Sequence, residues 1–185
     1  MTEDVSVKFI YSRSQTASIA LLACALLVST SKAQEQRSTT CDKAKVRERI
    51  ARIMRDTLKQ GETKVNGVVA SWTRIPPSSE AVEEVKCYGD DAVPVLAKYL
   101  KSKDSPKKEL ALRFLGELGG SRIVEPLRTF ILYETSPFLR ELALRWLTTA
   151  PWDMVSPIIK EAMESDSDPK VREAAKNILA SYAPK

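Results

Sequence analysis

The amino-acid sequence predicts an all-α fold, a right-handed α-solenoid in which antiparallel helix pairs stack on one another. Two observations lead to this prediction. The 185 residues include only 6 glycines, and the apolar residues follow helical rather than strand spacing. In addition, one segment pattern recurs every 32 residues over the second half of the chain, and a period of this length is typical of stacked helical repeats.

The repeat is clearest in a segment that begins Glu-Leu-Ala-Leu-Arg. This segment starts at Glu109 and again at Glu141, and a weaker copy starts at Glu173. Two series of prolines keep the same spacing to within one residue, namely Pro106, Pro137 and Pro169, and Pro94, Pro126 and Pro157. Three markers that share one period indicate a tandem repeat.

Each repeat unit is predicted to contain two helices, A and B. Helix A begins near a capping candidate and has proline in its first turn, where the missing N–H costs little; the candidates are Asp90 or Asp91, Ser121 and Asp153. Equivalent apolar positions of helix A are Val95, Leu127 and Ile158; Tyr99, Ile131 and Ala162; and Leu100, Leu132 and Met163. Helix B carries a wider apolar stripe, Leu110, Ala111, Phe114, Leu115 and Leu118, with Leu142, Ala143, Trp146, Leu147 and Ala150 in the next unit. One pair cannot bury all of this surface alone, so neighbouring pairs are expected to stack.

The chain is predicted to divide into three parts. Residues 1–33 form a signal peptide, residues 34–77 form a helical N-terminal cap with an irregular segment, and residues 78–185 form the repeats. Within the cap, residues 42–60 form a charged amphipathic helix. Residues 78–88 have the pattern of a B helix from an earlier, degenerate unit.

The N-terminal segment has the order of a secretory signal. Lys8 and Arg13 precede an apolar run over 17–29, and small residues then favour cleavage before Gln34. The run is shorter than the ~20 residues of a spanning helix, which leaves an uncleaved anchor as the alternative. Acylation at Cys24 is disfavoured because apolar residues continue beyond it. The mature protein is therefore expected to be periplasmic or secreted, without stable membrane insertion.

Two cysteines, Cys41 and Cys87, remain after that cleavage. In an oxidising compartment an even number of cysteines is a candidate disulfide. The alternative is a pair of buried thiols that act as small apolar groups.

Composition argues against several kinds of site. The sequence contains no histidine, the commonest general base and zinc ligand. A net charge of +5, from 29 basic and 24 acidic residues, is too small to favour nucleic acid as a partner. Glu164, Asp166 and Asp168 alternate as in a calcium loop, but the central glycine and final glutamate of such a loop are missing, which favours a solvated turn. We therefore predict no catalytic residue, no metal and no cofactor.

At its repeats the chain resembles the HEAT-repeat superfamily, in particular the short bacterial HEAT-like type related to phycobilisome-lyase repeats. The segments that carry the resemblance are Asp91-Ala-Val-Pro-Val-Leu, Pro137-Phe-Leu-Arg-Glu-Leu-Ala-Leu and Pro169-Lys-Val-Arg-Glu-Ala-Ala. The resemblance covers residues 78–182. It implies a solenoid fold and says little about function, because the repeat motif describes packing.

The repeat also places basic residues at equivalent positions of helix B, on the side that the resemblance implies for partner binding. Arg113 and Arg145 each follow a glutamate by four residues, so an ion pair within the helix is the alternative to partner binding. Lys108, Arg140 and Arg172 have no acidic residue four positions later. We predict that these three residues form a ridge that meets an acidic partner.

These observations favour an exported interaction scaffold that binds a protein or peptide and is not an enzyme. One alternative is an enzyme similar to the phycobilin lyases, which would need a tetrapyrrole pocket. The other alternative is a structural subunit of an envelope assembly. Visible absorbance from a bound chromophore distinguishes the first of these from a scaffold.

Overall fold

A computed structural model describes residues 41–66, 68–72 and 76–182 of the chain, with the side chains of residues 68–72 left aside. The predicted signal peptide and its cleavage site before Gln34 lie outside the described residues, as does the side chain of Trp72. The described residues belong to one compact unit, Cys41–Lys185, and they are predominantly helical, as the sequence predicts.

Eight α-helices and two β-strands follow one another along the described chain. The order is α1 (Val46–Gly61), β1 (Glu62–Val65), β2 (Val68–Trp72), α2 (Ser79–Tyr88), α3 (Val93–Tyr99), α4 (Ser105–Leu118), α5 (Val124–Tyr133), α6 (Pro137–Leu147), α7 (Trp152–Ser165) and α8 (Pro169–Tyr182). Short 3₁₀ turns at Lys43–Lys45, Gly89–Asp91 and Ser121–Ile123 precede α1, α3 and α5.

The N-terminal part contains a β-hairpin that the sequence analysis treated as irregular. Strands β1 and β2 pair antiparallel, with Glu62 opposite Trp72 and Val65 opposite Val68. Asn66 between them has φ of 52°, the left-handed conformation that tight hairpin turns need. The prediction of an irregular segment was wrong here, because Asn66-Gly67 between β-branched residues is itself a hairpin signal.

Helices α3 to α8 form three successive A and B pairs. Each A helix packs against the B helix that follows it, as α3 on α4, α5 on α6 and α7 on α8. The B helices α4, α6 and α8 also contact one another in succession, and α2 packs on α4 as an earlier B helix would. The A helices of neighbouring pairs contact each other much less. Fully buried apolar side chains are concentrated on the B helices and include Leu112, Phe114, Leu115, Leu144 and Leu147.

A glycine allows the first two B helices to approach each other. A Cβ atom at Gly116 of α4 would overlap the ring of Trp146 on α6. Trp146, predicted to belong to the apolar stripe of its helix, is partly buried and packs against the core through this contact. Helix α4 can therefore accept the indole ring only where it has no side chain.

Three details of the A helices differ from the sequence-based expectations. None of the predicted capping residues makes a side-chain cap at the start of α3, α5 or α7; Asp90 and Asp91 instead form ion pairs with Arg122 and Lys43. In α7 the fully buried residue is Ile159 rather than Ile158, because the proline spacing there is one residue shorter. Leu132, predicted to be buried, is 57% exposed.

Candidate partner-binding grooves

The predicted basic ridge does not consist of free charges. Lys108, at the start of α4, donates a hydrogen bond of 2.6 Å to Oε2 of Glu134, which follows the end of α5. Both side chains are largely buried, 18% and 4% exposed. The acidic partner lies 26 residues along the chain, in the next helix pair, and not four residues away on the same helix.

Arg140 occupies the equivalent position of α6 and is even less accessible. Its guanidinium binds Asp166 with both ends, through Nε to Oδ2 at 2.8 Å and Nη2 to Oδ1 at 2.7 Å. Nη1 also donates to the main-chain oxygens of Glu134 and Thr135. With 7% of its surface exposed, Arg140 holds two successive A-to-B turns together.

The same pattern continues at the third position. Arg172 donates from Nη1 to the main-chain oxygen of Asp166 at 2.6 Å, as Arg140 does to that of Glu134. Both acidic residues also accept a hydrogen bond from a backbone N–H two residues later, at Ser136 and Asp168. We call these repeated interactions around Glu134 and Asp166 the two turn networks.

The turn networks change the acidity of their members. Burial, the largest influence, raises the pKa of Glu134, but hydrogen bonds from Lys108 and the Ser136 backbone outweigh it, and the pKa is lowered overall. The pKa of Asp166 is also lowered, because the bonds from Arg140 and the Asp168 backbone outweigh a large opposing effect of burial. The hydrogen bond to Asp166 in turn raises the pKa of Arg140. Both carboxyl groups are therefore ionised near neutral pH.

The remaining two basic positions form pairs within their own helices. Arg113 donates to Glu109 at 3.1 Å and Arg145 to Glu141 at 2.8 Å, so both i, i+4 pairs expected from the sequence are present. Lys108 and Arg140 have no acidic residue four positions later, as the sequence shows, but each is paired with a carboxylate of the next unit, Glu134 or Asp166. Since four of the five candidate residues face a carboxylate and the fifth, Arg172, holds a turn carbonyl, we place the candidate partner site elsewhere.

The two cysteines among the described residues meet in the structure. Cys41 and Cys87 form a disulfide bond with Cα atoms 6.0 Å apart, within the range that such a bond requires. The bond joins the residues before α1 to the last turn of α2.

An open groove lies between the A helices α3 and α5. Its volume is about 670 Å³, within the range of ~300–1,000 Å³ that ligand pockets occupy. Its floor is apolar, formed by Ala97, Leu100, Pro126, Phe130 and Tyr133. Its polar lining consists of Lys101, Ser102, Lys108, Glu125, Thr129 and Glu134. We call it the α3–α5 groove.

A smaller groove of about 300 Å³ lies between α5 and α7. Several of its lining residues are those of the α3–α5 groove shifted by 32 positions, including Leu132, Ile158 and Asp166 in place of Leu100, Pro126 and Glu134. Each groove is thus bordered at one end by a turn network. Between them, Leu132 and Tyr133 are 57% and 80% exposed.

Sequence reasoning missed the acidic members of the turn networks. Glu134 and Asp166 are also separated by 32 residues, so they are a further marker of the same repeat. The equivalence was not recognised because the residue type changes from glutamate to aspartate. The preceding unit has Ser102 at this position, and its hydroxyl accepts a hydrogen bond from the backbone N–H of Asp104. The prediction of a solvated turn was wrong for Asp166, because its side chain is 6% exposed and bound to Arg140.

Metal sites and membrane-spanning helices can be considered for the part of the chain that the structure describes. Within it, no group of three or more cysteine, aspartate or glutamate side chains is arranged to hold a metal ion. None of the described helices combines the length and the apolar character that crossing a lipid bilayer requires.

Comparison of the chain with protein-family models, with curated proteins and with solved structures gave no significant match. The candidate site therefore has to be judged on its geometry alone.

Proposed function

We propose that the chain is an exported interaction module, a short right-handed α-solenoid of the HEAT type, that binds a segment of a protein partner between its A helices. The single observation that carries this proposal is the α3–α5 groove, an open apolar floor bordered by charged residues. The protein acts in this proposal as a scaffold and not as an enzyme, in the periplasm or outside the cell.

The order of helix contacts supports the solenoid. Three pairs follow a 32-residue period, and each B helix contacts the next one. Nearest-neighbour packing of this kind is characteristic of solenoids. The disulfide geometry of Cys41 and Cys87 supports an oxidising compartment.

The residues around the groove support partner binding. Tyr133 is 80% exposed next to the buried ring of Phe130, and large aromatic side chains in such positions are common anchors at protein interfaces. The opening between the B helices α6 and α8 is smaller, about 270 Å³. A groove between helices accepts an amphipathic segment through its apolar side chains.

Site-specific photo-crosslinking tests the proposal. Tyr133 is replaced by a benzophenone amino acid in the full-length chain, expressed in cells of its source, and a control chain carries the same group at exposed Lys170 of α8. We expect discrete protein adducts from position 133 and none from position 170. The adducts should disappear in a second chain with Ala97→Trp, which fills the groove, provided that its thermal unfolding matches that of the parent.

Adducts of equal yield from positions 133 and 170 would count against a specific site. No adduct at position 133 would contradict binding in the groove. A purified chain that absorbs visible light through a bound chromophore would favour the lyase-like alternative instead.

A further inference from the structure

A cluster of lysines without ion-pair partners lies at the α3 side of the α3–α5 groove; Lys101 lines the groove, and Lys98 and Lys103 lie beside it in the sequence. Lys98 and Lys101 lie three residues apart on or just after α3, hence on one side of it, and Lys103 follows in the turn. All three are exposed. No carboxylate of the described residues lies within ion-pair distance of any of them, in contrast to Lys107 and Lys108 nearby.

The opposite wall does not cancel this charge. Lys108 and Glu134 neutralise each other at the end of the groove, which leaves Glu125 as the acidic residue of the α5 wall. When Lys98 and Lys103 beside the groove are counted with the lining residue Lys101, three unpaired lysines stand against Glu125, an excess of two positive charges around the groove. An unpaired cluster of one sign at an interface favours a partner of the opposite sign and speeds its association.

We propose that the α3–α5 groove binds an acidic amphipathic segment of a partner protein. Apolar side chains of the segment contact Leu100, Phe130 and Tyr133, and its carboxylates face Lys98, Lys101 and Lys103. This inference rests on the proposed function, since it names the chemistry of the partner for the same groove.

The smaller α5–α7 groove has no comparable preference. Its lining contains charges of both signs, Arg128 and Arg140 with Glu134, Glu161 and Asp166, and Arg140 is bound to Asp166. A nucleic acid fits the α3–α5 groove less well, because a phosphate backbone gains nothing from an apolar floor and the site offers one exposed aromatic ring rather than a stacking platform.

Binding of designed peptides to the mature chain tests the inference by fluorescence anisotropy. Three labelled peptides of ~16 residues are compared. The first has leucine and phenylalanine at helical spacing with glutamate elsewhere, the second has lysine in place of glutamate, and the third keeps glutamate but has serine at the apolar positions. We expect the first peptide to bind at least about tenfold tighter than either of the others.

Charge reversal of the lysines then assigns the preference to the groove. The variant K98E/K101E/K103E should bind the acidic amphipathic peptide about tenfold or more weakly than the parent chain does. It should bind the basic peptide instead. The matched control K59E/K160E/K170E removes the same charge from exposed lysines of α1, α7 and α8 and should retain the original preference. The neutral variant K98Q/K101Q/K103Q should give an intermediate affinity, and thermal unfolding checks that all variants fold.

Several results would overturn the inference. These are equal affinity for acidic and basic peptides, an equal loss in the control variant, binding of the serine peptide or a single-stranded oligonucleotide as tightly as the amphipathic peptide, or self-association that blocks the groove. If the peptide experiments fail while crosslinking from position 133 still gives adducts, only the acidic character of the partner is overturned. Loss of the adducts would overturn the proposed function.

Discussion

The A helices and the B helices follow the same 32-residue repeat but meet very different surroundings. On the B helices, Leu112 and Leu144 are equivalent, and both are fully buried. On the A helices, Leu100 and Leu132 are equivalent, yet they are 6% and 57% exposed. Equal sequence position therefore does not by itself fix burial. Where the repeats separate, the same leucine becomes available to another molecule.

The charged residues divide in a similar way. Lys108, Arg140 and Arg172 are held inside the turn networks, whereas Lys98, Lys101 and Lys103 are exposed and have no ion-pair partner among the described residues. The charges repeated at equivalent positions of the B helices join neighbouring turns, and the lysine cluster beside the α3–α5 groove does not take part in the repeat. Three of the four predictions that follow test this division, and the third concerns the end of the row of B helices.

The largest effect is expected for Arg140→Met. The change keeps much of the side-chain volume and leaves the buried carboxylate of Asp166 unpaired, which costs ~3–5 kcal/mol in comparable sites. The same change at exposed Arg145 removes an i, i+4 pair worth ~0.2–0.5 kcal/mol. Urea denaturation of both variants measures the difference in the free energy of unfolding.

The double variant R140M/D166L provides a further check, since it removes the unpaired charge and should recover part of the loss. Equal destabilisation by R140M and R145M would show that the turn network is no more important than a surface ion pair.

Leucine truncation tests the two kinds of helix directly. Leu144→Ala creates a cavity between B helices and should lower the free energy of unfolding by ~2–5 kcal/mol. Leu132→Ala changes a half-exposed side chain and should alter it by no more than ~0.5 kcal/mol. Chemical denaturation under identical conditions gives both values, and similar losses at the two positions would contradict the comparison.

The disulfide secures the end of the row of B helices, where α2 packs on α4 and α1. Removing it in C41S/C87S should cost ~2–4 kcal/mol, because the bond closes a long loop in the unfolded chain of 46 residues. Thiol titration of unfolded, unreduced residues 34–185, the predicted mature protein, should find no free thiol. Two free thiols would exclude the bond.

The smallest effect is expected for the change in the free energy of unfolding at acid pH. Glu134 and Asp166 have pKa values lowered from 4.5 and 3.8, so the unfolded chain takes up protons on these carboxyls before the folded chain does. Their contribution is complete above about pH 5 and is lost as the pH falls through the lowered values. The free energy of unfolding measured from pH 6 to pH 3 should therefore fall less steeply in E134Q/D166N than in the parent chain.

A control variant with E161Q/E164Q, which alters two exposed carboxylates of α7, should keep the slope of the parent. Parallel profiles for all three proteins would show that the turn networks do not govern the acid response.

The sequence was sufficient for some features of this molecule because they depend on local pattern. The 32-residue spacing identified the B helices and their apolar stripes, and glutamate four residues before arginine identified two ion pairs. Contacts between repeat units could not be predicted from this local pattern. Lys108 and Glu134 are 26 residues apart, so no rule based on neighbours within one helix connects them. Exposure of Leu132 depends on how far apart two A helices lie, which the pattern within either helix does not determine. The pair Asn66-Gly67 indicates the hairpin, but the sequence analysis did not predict it.

The turn networks also determine how such a chain can change its length. Lys108 to Glu134 and Arg140 to Asp166 each span 26 residues, while the unit itself is 32 residues long. Excision or duplication of one complete unit therefore leaves every buried donor with an acceptor at the proper distance. An insertion of another length inside one of the paired helices would instead shift one member of a pair and leave a buried charge without its partner. Growth by whole units keeps both turn networks.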